Sequence, residues 1–256
     1  MLGGSRTVLA ALNVNPRLAG TASSNASQTW TANGAVTAST QVRYGTASAY
    51  FAADGNEIYT SAGSPTFMDY GTGEFTIEFW VYIPTVGSGH SASCDVLAND
   101  TAGGFGIRLA QAFNTSGLNT GSAQYLNIFA RGQADLDYWT LPTQWPAAQW
   151  NFVAVQRKGT TVSCWVNGTL LPRSGSGGGT RNFASGTSIL VGTADGGNGI
   201  GPAYIDECCW SSTARYQFTD RNILVPAQPF TVDSYTTQLM HMDGSNGGTT
   251  FTNATA

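Results

Sequence analysis

The chain has 256 residues, a net charge of −4 at pH 7, 32 glycines and only 10% charged residues. This composition favours many short strands joined by tight turns and argues against long helices. The weakly acidic charge gives no broad cationic surface, and no apolar run reaches the length of about 20 residues that spans a bilayer. Neither nucleic acid nor a membrane is therefore a predicted partner.

The first 28 residues are predicted to form an N-terminal arm. They lack sustained periodicity and are rich in Ala, Ser, Asn and Gly, so they are expected to become ordered mainly by lying on another surface. The apolar run at residues 8–12 is shorter than a usual signal-peptide core, which favours assembly inside the cell over secretion. We therefore predict an arm at residues 1–28 that serves assembly, followed by one domain at residues 29–256.

From Thr29 onward, turn residues recur at regular spacing between short apolar runs. This pattern is typical of an antiparallel protein with two packed sheets. The predicted strands are residues 48–52, 75–83, 104–110, 125–130, 150–157, 161–166, 189–192 and 203–210.

The segment 75–83 alternates without interruption, so its residues divide between two faces of a strand. One face must belong to the core; it carries Phe75, Ile77, Phe79, Val81 and Ile83. The other face carries Thr76, Glu78, Trp80 and Tyr82. Its two aromatics could form a binding surface, but we favour burial beneath a covering loop.

Two strands at 150–157 and 161–166 are predicted to form a hairpin, and Asn167-Gly168 supplies the positive φ angles of a type I′ turn. The segment 174–180 contains four glycines and no apolar residue, which predicts a mobile surface loop.

The four cysteines lack CxxC spacing, and the chain contains only two histidines, His90 and His241. A zinc site is therefore not predicted. Because Cys208 and Cys209 are adjacent in a strand, they are expected to face opposite sides of the sheet. We predict buried reduced thiols, and a disulfide between Cys164 and one of that pair is the alternative.

Several blocks together resemble a known family. The blocks 75–81, 150–155, 165–168 and 204–207 resemble the laminin-G-like, concanavalin A-like jelly-roll family, and residues 214–216, 218–219, 226, 229–230 and 237–244 are similar to its version in bacteriophage virion proteins. The resemblance covers about residue 30 to the C-terminus. It implies an all-β, two-sheet antiparallel jelly-roll sandwich, but not a particular ligand.

The same architecture includes glucanases, whose signature places acidic residues at alternate positions as Glu-x-Asp-x-Glu. The nearest candidates are Asp135-Leu-Asp137, which lacks a third carboxylate, and Asp206-Glu207, which is expected to point to opposite faces. The chain has no nucleophile elbow, zinc-protease motif or phosphate loop, His90 is interpreted as a solvated loop residue, and His241 as a sheet residue. We predict that the protein is not an enzyme.

The resemblance permits one cofactor, a structural calcium ion held by carboxylate and carbonyl oxygens. Asp54 and Asp206 hold the matching positions, although either could instead be a turn former or a strand-end cap.

The predicted function is a non-enzymatic bacteriophage virion structural protein, as a capsid decoration or tail-associated protein, assembled in the host cytoplasm and located in the virion. Its partners would be other virion proteins and copies of itself. The alternative is a carbohydrate-binding adhesin that recognises host surface glycans by stacking sugars on aromatic rings. The predicted ligand-binding residues are Trp80, Tyr82, Trp139 and Trp145, of which the last two are expected in a loop around Leu141-Pro142.

Overall fold

The computed structural model describes residues 28–60, 65–85, 93–99, 105–111, 124–130, 135–141, 145–173, 182–183, 188–193, 199–217 and 220–254. Residues 1–27 of the predicted arm, the glycine-rich segment 174–180 and His90 lie outside these residues.

The described residues form an all-β structure. The strands of the first half are β1 Trp30–Asn33, β2 Val36–Ala38, β3 Ser48–Phe51, β4 Glu57–Thr60, β5 Phe75–Tyr82, β6 Ser93–Asn99, β7 Phe105–Gln111 and β8 Gln124–Ala130. Those of the second half are β9 Asp135–Thr140, β10 Trp150–Lys158, β11 Thr161–Val166, β12 Thr169–Leu170, β13 Ile189–Val191, β14 Ala203–Ser211 and β15 Thr236–Met240. One 3-10 turn lies at Thr66–Met68.

The strands form two antiparallel sheets, as predicted for a jelly-roll sandwich. The first sheet has the order β1-β4-β13-β6-β7-β8-β9, and the second has β12-β11-β10-β5-β14-β3-β2. β15 also pairs with β14, beside the second half of that strand. All eight predicted strands are present, and β1, β2, β4, β6, β9, β12 and β15 are additional.

The core lies between the two sheets, and β5 runs through the middle of the second one. The five apolar residues that alternate from Phe75 to Ile83 are at most 1% exposed and belong to one apolar cluster, which confirms the predicted core face. Ile58 of β4 and Val191 of β13 reach the same cluster from the first sheet. Apolar burial of this kind is the main stabilising contribution to such a sandwich.

The outer face of the second sheet is largely buried as well. We call residues 212–235 the covering segment; they cross this face, although 218–219 are outside the described part. Tyr216 packs on Trp165 at 5.5 Å between ring centroids, and Phe230 packs on Phe152 at 6.4 Å. The interpretation of a covered outer face is thus confirmed over much of the sheet.

Two turns of the second sheet have the predicted geometry. Asn167 and Gly168 have φ angles of 49° and 82° and join β11 to β12, as a type I′ turn requires. Gly159, in the turn between β10 and β11, has a φ of 56°.

A β-bulge corrects the prediction for the carboxylates of β14. The register against β5 shifts between Asp206 and Cys209, and Glu207 has a φ of 54°. A bulge inserts one extra residue, so the side-chain alternation is interrupted there. Glu207 consequently bonds to the backbone of Phe230 on the outer face, where Asp206 also bonds to the chain, and the two carboxylates do not point to opposite faces.

The described cysteines follow the prediction. Cys164, Cys208 and Cys209 are buried, and none of these three is in a disulfide. Cys208 lies in the core between the sheets, whereas Cys209 lies in the apolar cluster of the outer face.

Within the described ranges, no helix has the length and apolar character needed to cross a membrane.

Candidate functional site

A row of four aromatic side chains crosses the outer face of the second sheet. We call Tyr50, Tyr204, Tyr82 and Trp150, from β3, β14, β5 and β10, the aromatic row. Each is directly opposite the next in the strand register, and all four are partly exposed. This is the part of the described outer face where large rings reach the surface side by side.

Strand alternation explains why these side chains point outward. Ala203 and Ile205, on either side of Tyr204, are both fully buried in the core. Val81 and Ile83, on either side of Tyr82, are also fully buried in the core. Because neighbouring residues of a strand face opposite sides, two core residues force the ring between them onto the outer face.

The rings of the row touch one another. The centroids of Tyr50 and Tyr204 are 4.6 Å apart with nearly parallel planes, at 26°. Tyr82 meets Tyr204 edge to face at 5.9 Å and meets Trp150 at 5.7 Å. Cross-strand aromatic pairs of this kind stabilise a sheet. Since strands are about 4.8 Å apart, the row extends about 14 Å across the sheet.

The loop between β2 and β3 borders the row. Thr40 lies with its hydroxyl 3.3 Å from that of Tyr204. Further along the loop, the guanidinium carbon of Arg43 lies 3.9 Å from the ring centroid of Trp80 and 4.9 Å from that of Tyr44. The loop therefore places a hydroxyl beside Tyr204 and a cation over Trp80, two residues from Tyr82 along β5.

The four predicted ligand-binding aromatics are not brought together. Tyr82 lies in the row and is partly exposed. Trp80 and Trp145 are only 2% exposed, so neither offers a ring face to a ligand in this conformation. Trp139 belongs to β9 rather than to a loop, and its side chain lies outside the described part.

Trp80 is buried because the loop covers it. Besides Arg43, its neighbours are Tyr44 at 6.1 Å and Phe152 at 5.4 Å between ring centroids. Trp80 thus supports the loop that carries Arg43.

The two predicted metal ligands are also apart. Asp206 is beside Ile205, which pairs with Ala49 near the start of β3, whereas Asp54 lies three residues beyond the end of that strand. Among the described residues, no three His, Cys, Asp or Glu side chains gather as a possible metal site. Calcium binding at either aspartate stays a prediction.

Asp206 anchors the loop. Its Oδ2 atom accepts the backbone N–H groups of Arg43 at 2.9 Å and Tyr44 at 3.2 Å. Burial, with a smaller contribution from the neighbouring carboxylate of Glu207, raises the pKa of Asp206 to about 8 against the opposing effect of these hydrogen bonds. At neutral pH the side chain is therefore mostly uncharged and contributes little negative charge to the site.

His241 directly follows β15 and pairs with Glu207. Its Nδ1 atom lies 2.6 Å from Oε1 of Glu207, while Oε2 accepts the backbone N–H of Phe230 at 2.6 Å. The hydrogen bond with Glu207 raises the pKa of His241 above its ordinary value, although burial lowers it. Both oxygens of Glu207 are engaged in holding the chain, which indicates a structural rather than a catalytic role.

Sequence reasoning missed three members of the row, Tyr50, Tyr204 and Trp150. The available signal was local: Tyr50 lies between Ala49 and Phe51, and both of these are core residues. What the sequence does not contain is the register that sets Tyr50 opposite Tyr204 and Trp150 opposite Tyr82.

Comparison with protein families gives an independent result. The laminin G model described as "Concanavalin A-like lectin/glucanases superfamily" matches residues 54–217, which is more than half of the chain. The chain belongs to the concanavalin A-like lectin/glucanase superfamily. No curated protein sequence matches it.

Solved structures of other proteins share this concanavalin A-like fold. A putative carbohydrate binding protein from Bacteroides ovatus has a TM-score of 0.52 at 17% identity, over 90% of this chain and 56% of its own. The binding domain of Paraclostridial Mosquitocidal Protein 1 has a TM-score of 0.51 at 12% identity, over 73% of this chain and 44% of its own. The binding domain of botulinum neurotoxin serotype G has a TM-score of 0.51 at 11% identity, over 75% and 44%.

These structures are named as carbohydrate-binding or binding proteins rather than as enzymes. The chain spans only about half of the length of each of them, and at these identities the likeness concerns the fold. The jelly-roll prediction is confirmed by both the family and the fold.

Proposed function

We propose that this protein is a carbohydrate-binding module and that the aromatic row on the outer face of its second sheet is the surface on which a glycan stacks. The observation that carries the proposal is the continuous contact of four partly exposed rings across β3, β14, β5 and β10. Of the two functions considered from the sequence, the structural similarity to a putative carbohydrate binding protein favours this one.

The chemistry of the row suits a sugar. One face of a pyranose ring presents mainly C–H groups, which pack well against an aromatic ring, while its hydroxyls need hydrogen-bond partners. Tyrosine and tryptophan combine an apolar body with a polar group, and the hydroxyls of Thr40 and Tyr204 lie at the border of the row. With a length of about 14 Å, the row is longer than one sugar ring, so we expect it to bind a linear oligosaccharide.

A binding function also agrees with what the described carboxylates do. Glu78 accepts the phenol hydrogen of Tyr216 at 2.6 Å, and Glu207 is engaged with Phe230 and His241. They hold the covering segment in place instead of facing a cleft as an acid and nucleophile pair would. We propose that the module binds without cleaving.

The test is a glycan array followed by calorimetric titration of the best ligand. We predict that Tyr204→Ala, which removes the ring stacked on Tyr50 and touching Tyr82, lowers affinity about tenfold or more, since a stacked ring contributes on the order of 1–3 kcal/mol.

Tyr235→Ala is the matched control. Tyr235 is 54% exposed and lies outside the row, so its loss should leave affinity within about twofold. Equal affinity of wild type and the Tyr204 variant, or no saturable binding by any glycan, would reject the proposal.

The virion role predicted from the sequence stays a second prediction. The blocks that resemble phage proteins include Arg215 and Phe230, which attach the covering segment to the sheet. Such contacts stabilise the fold and are not specific to a virion protein. Mass-spectrometric identification of the chain in purified particles, with its copy number, tests this role. It is compatible with glycan binding, because a displayed virion protein can hold a host glycan.

A further inference from the structure

Arg43 has an environment that neither the fold nor the aromatic row explains. Its guanidinium carbon lies over the ring of Trp80, at 3.9 Å from the ring centroid, and its Nη2 atom donates to the hydroxyl of Tyr44 at 3.2 Å. That hydroxyl in turn donates to the carbonyl oxygen of Pro226 at 2.7 Å. The side chain is therefore held in one place while remaining partly exposed.

This cation has no ionic partner within the described structure. No carboxylate oxygen there lies within 4.0 Å of the Arg43 guanidinium. The nearby carboxyl of Asp206 receives the backbone N–H of Arg43 instead of its side chain. A guanidinium has five N–H donors in a planar arrangement, and only one of them, on Nη2, is used by a described side chain. The Nε atom is buried, so the donors left for a further group are those on the two Nη atoms.

The position of Arg43 links it to the row. Trp80 and Tyr82 are alternate residues of β5 and face the same side, about 7 Å apart along the strand. The same loop reaches Tyr204 through Thr40. The guanidinium thus lies over Trp80, and Trp80 is two residues from Tyr82 on the same face of β5.

We infer that Arg43 forms an anion subsite of the aromatic row and that the glycan bound there is acidic, carrying a carboxylate or sulfate group. This inference rests on the proposed glycan-binding function and names its ligand class. The sugar ring stacks on Tyr82 and Tyr204, and its acidic group accepts paired hydrogen bonds from Arg43. Trp80 and Tyr44 hold the guanidinium ready, so that little freedom is lost on binding.

The test uses paired probes with the same backbone, a galacturonic acid trimer and its neutral methyl ester, together with the acidic and neutral glycans of an array. We expect the wild type to prefer acidic members of such pairs, and the preference to weaken with added salt. Arg43→Gln should lower affinity for the preferred acidic probe by about tenfold or more, while affinity for neutral probes changes by less than about twofold.

Arg43→Lys separates charge from shape. It keeps the cation but loses the planar pair of donors, so it should retain a weaker preference for acidic probes. We expect both variants to unfold near the wild-type temperature. That result would show that the contact between Arg43 and Trp80 is not required for folding.

The outcomes distinguish the anion subsite at Arg43 from the proposed glycan-binding function. Binding of neutral glycans that is lost in Tyr204→Ala but unchanged in Arg43→Gln overturns the anion subsite and leaves the proposed function standing. Equal losses for acidic and neutral probes in Arg43→Gln also overturn it, because the residue would then act only through Trp80. Absence of any glycan binding overturns both.

Discussion

At the scale of single residues, a buried ion pair between Arg215 and Asp233 joins the two ends of the covering segment, and Arg215 also bonds to the sheet. Nη1 and Nη2 of Arg215 bond to the two oxygens of Asp233 at 2.7 and 2.8 Å, and its Nε bonds to the hydroxyl of Ser211 at 2.8 Å. The side chains of Arg215 and Asp233 are 1% and 3% exposed. A paired and hydrogen-bonded charge tolerates burial, whereas an unpaired one does not.

We predict that Asp233→Asn lowers the free energy of unfolding by about 3 kcal/mol, because the buried charge of Arg215 loses its two short bonds to a carboxylate and keeps the longer ion pair with Glu78, at 3.8 Å. Denaturant unfolding at pH 7 measures this loss. Asp69→Asn is the control, since Asp69 is exposed and should change stability by no more than about 0.5 kcal/mol.

The same pair predicts a pH dependence. Burial alone raises the pKa of Asp233, but hydrogen bonds and charge from Arg215 outweigh it and lower the pKa to about 2. The folded state therefore binds this proton less readily than the unfolded chain, and the stabilisation is present above about pH 4 and lost as pH falls toward 2. The difference between wild type and Asp233→Asn should shrink over that interval; a constant difference would contradict the assignment.

At the scale of elements, the tight turn between β11 and β12 makes room for the covering segment. A Cβ added at Gly168 would lie 2.6 Å from the backbone oxygen of Ile223, and Ile223 donates its N–H to the carbonyl oxygen of Gly168 at 2.8 Å. Gly159, in the preceding turn, also has a positive φ but open space around it. Substituting Gly159 therefore tests only the destabilisation from a positive φ, whereas substituting Gly168 adds a steric clash with Ile223.

We predict that Gly159→Ala lowers stability by about 1 kcal/mol, from its left-handed backbone alone, and that Gly168→Ala lowers it by more than about 2 kcal/mol. Urea unfolding of both variants checks the order. Equal losses would mean that the covering segment shifts freely away from the turn.

At the scale of the whole molecule, sequence patterns predicted the sandwich because alternation and turn chemistry are local. Phe75 to Ile83 defined the core face, and Asn167-Gly168 defined a hairpin, without knowledge of any partner strand. Among the strands that escaped prediction, β1, β2 and β12 have only two to four residues, which give little alternation to recognise. The longer β6 and β9 were also missed, so length is not the whole reason.

The candidate site was less predictable, because it depends on which strands become neighbours. Trp80 and Tyr82 look equivalent in the sequence, yet the loop carrying Arg43 covers the first and leaves the second partly exposed. The bulge at Glu207 likewise interrupts the alternation on which the prediction for Asp206-Glu207 depended. Both outcomes arise from contacts between segments distant in the chain.

The most direct test of the account is a crystal structure of the protein with the glycan selected by the array. We predict that a sugar ring lies over Tyr204 and Tyr82 on the outer face of the second sheet, with the chain of sugars running across the strands. A glycan bound elsewhere, with the aromatic row empty, would contradict the account.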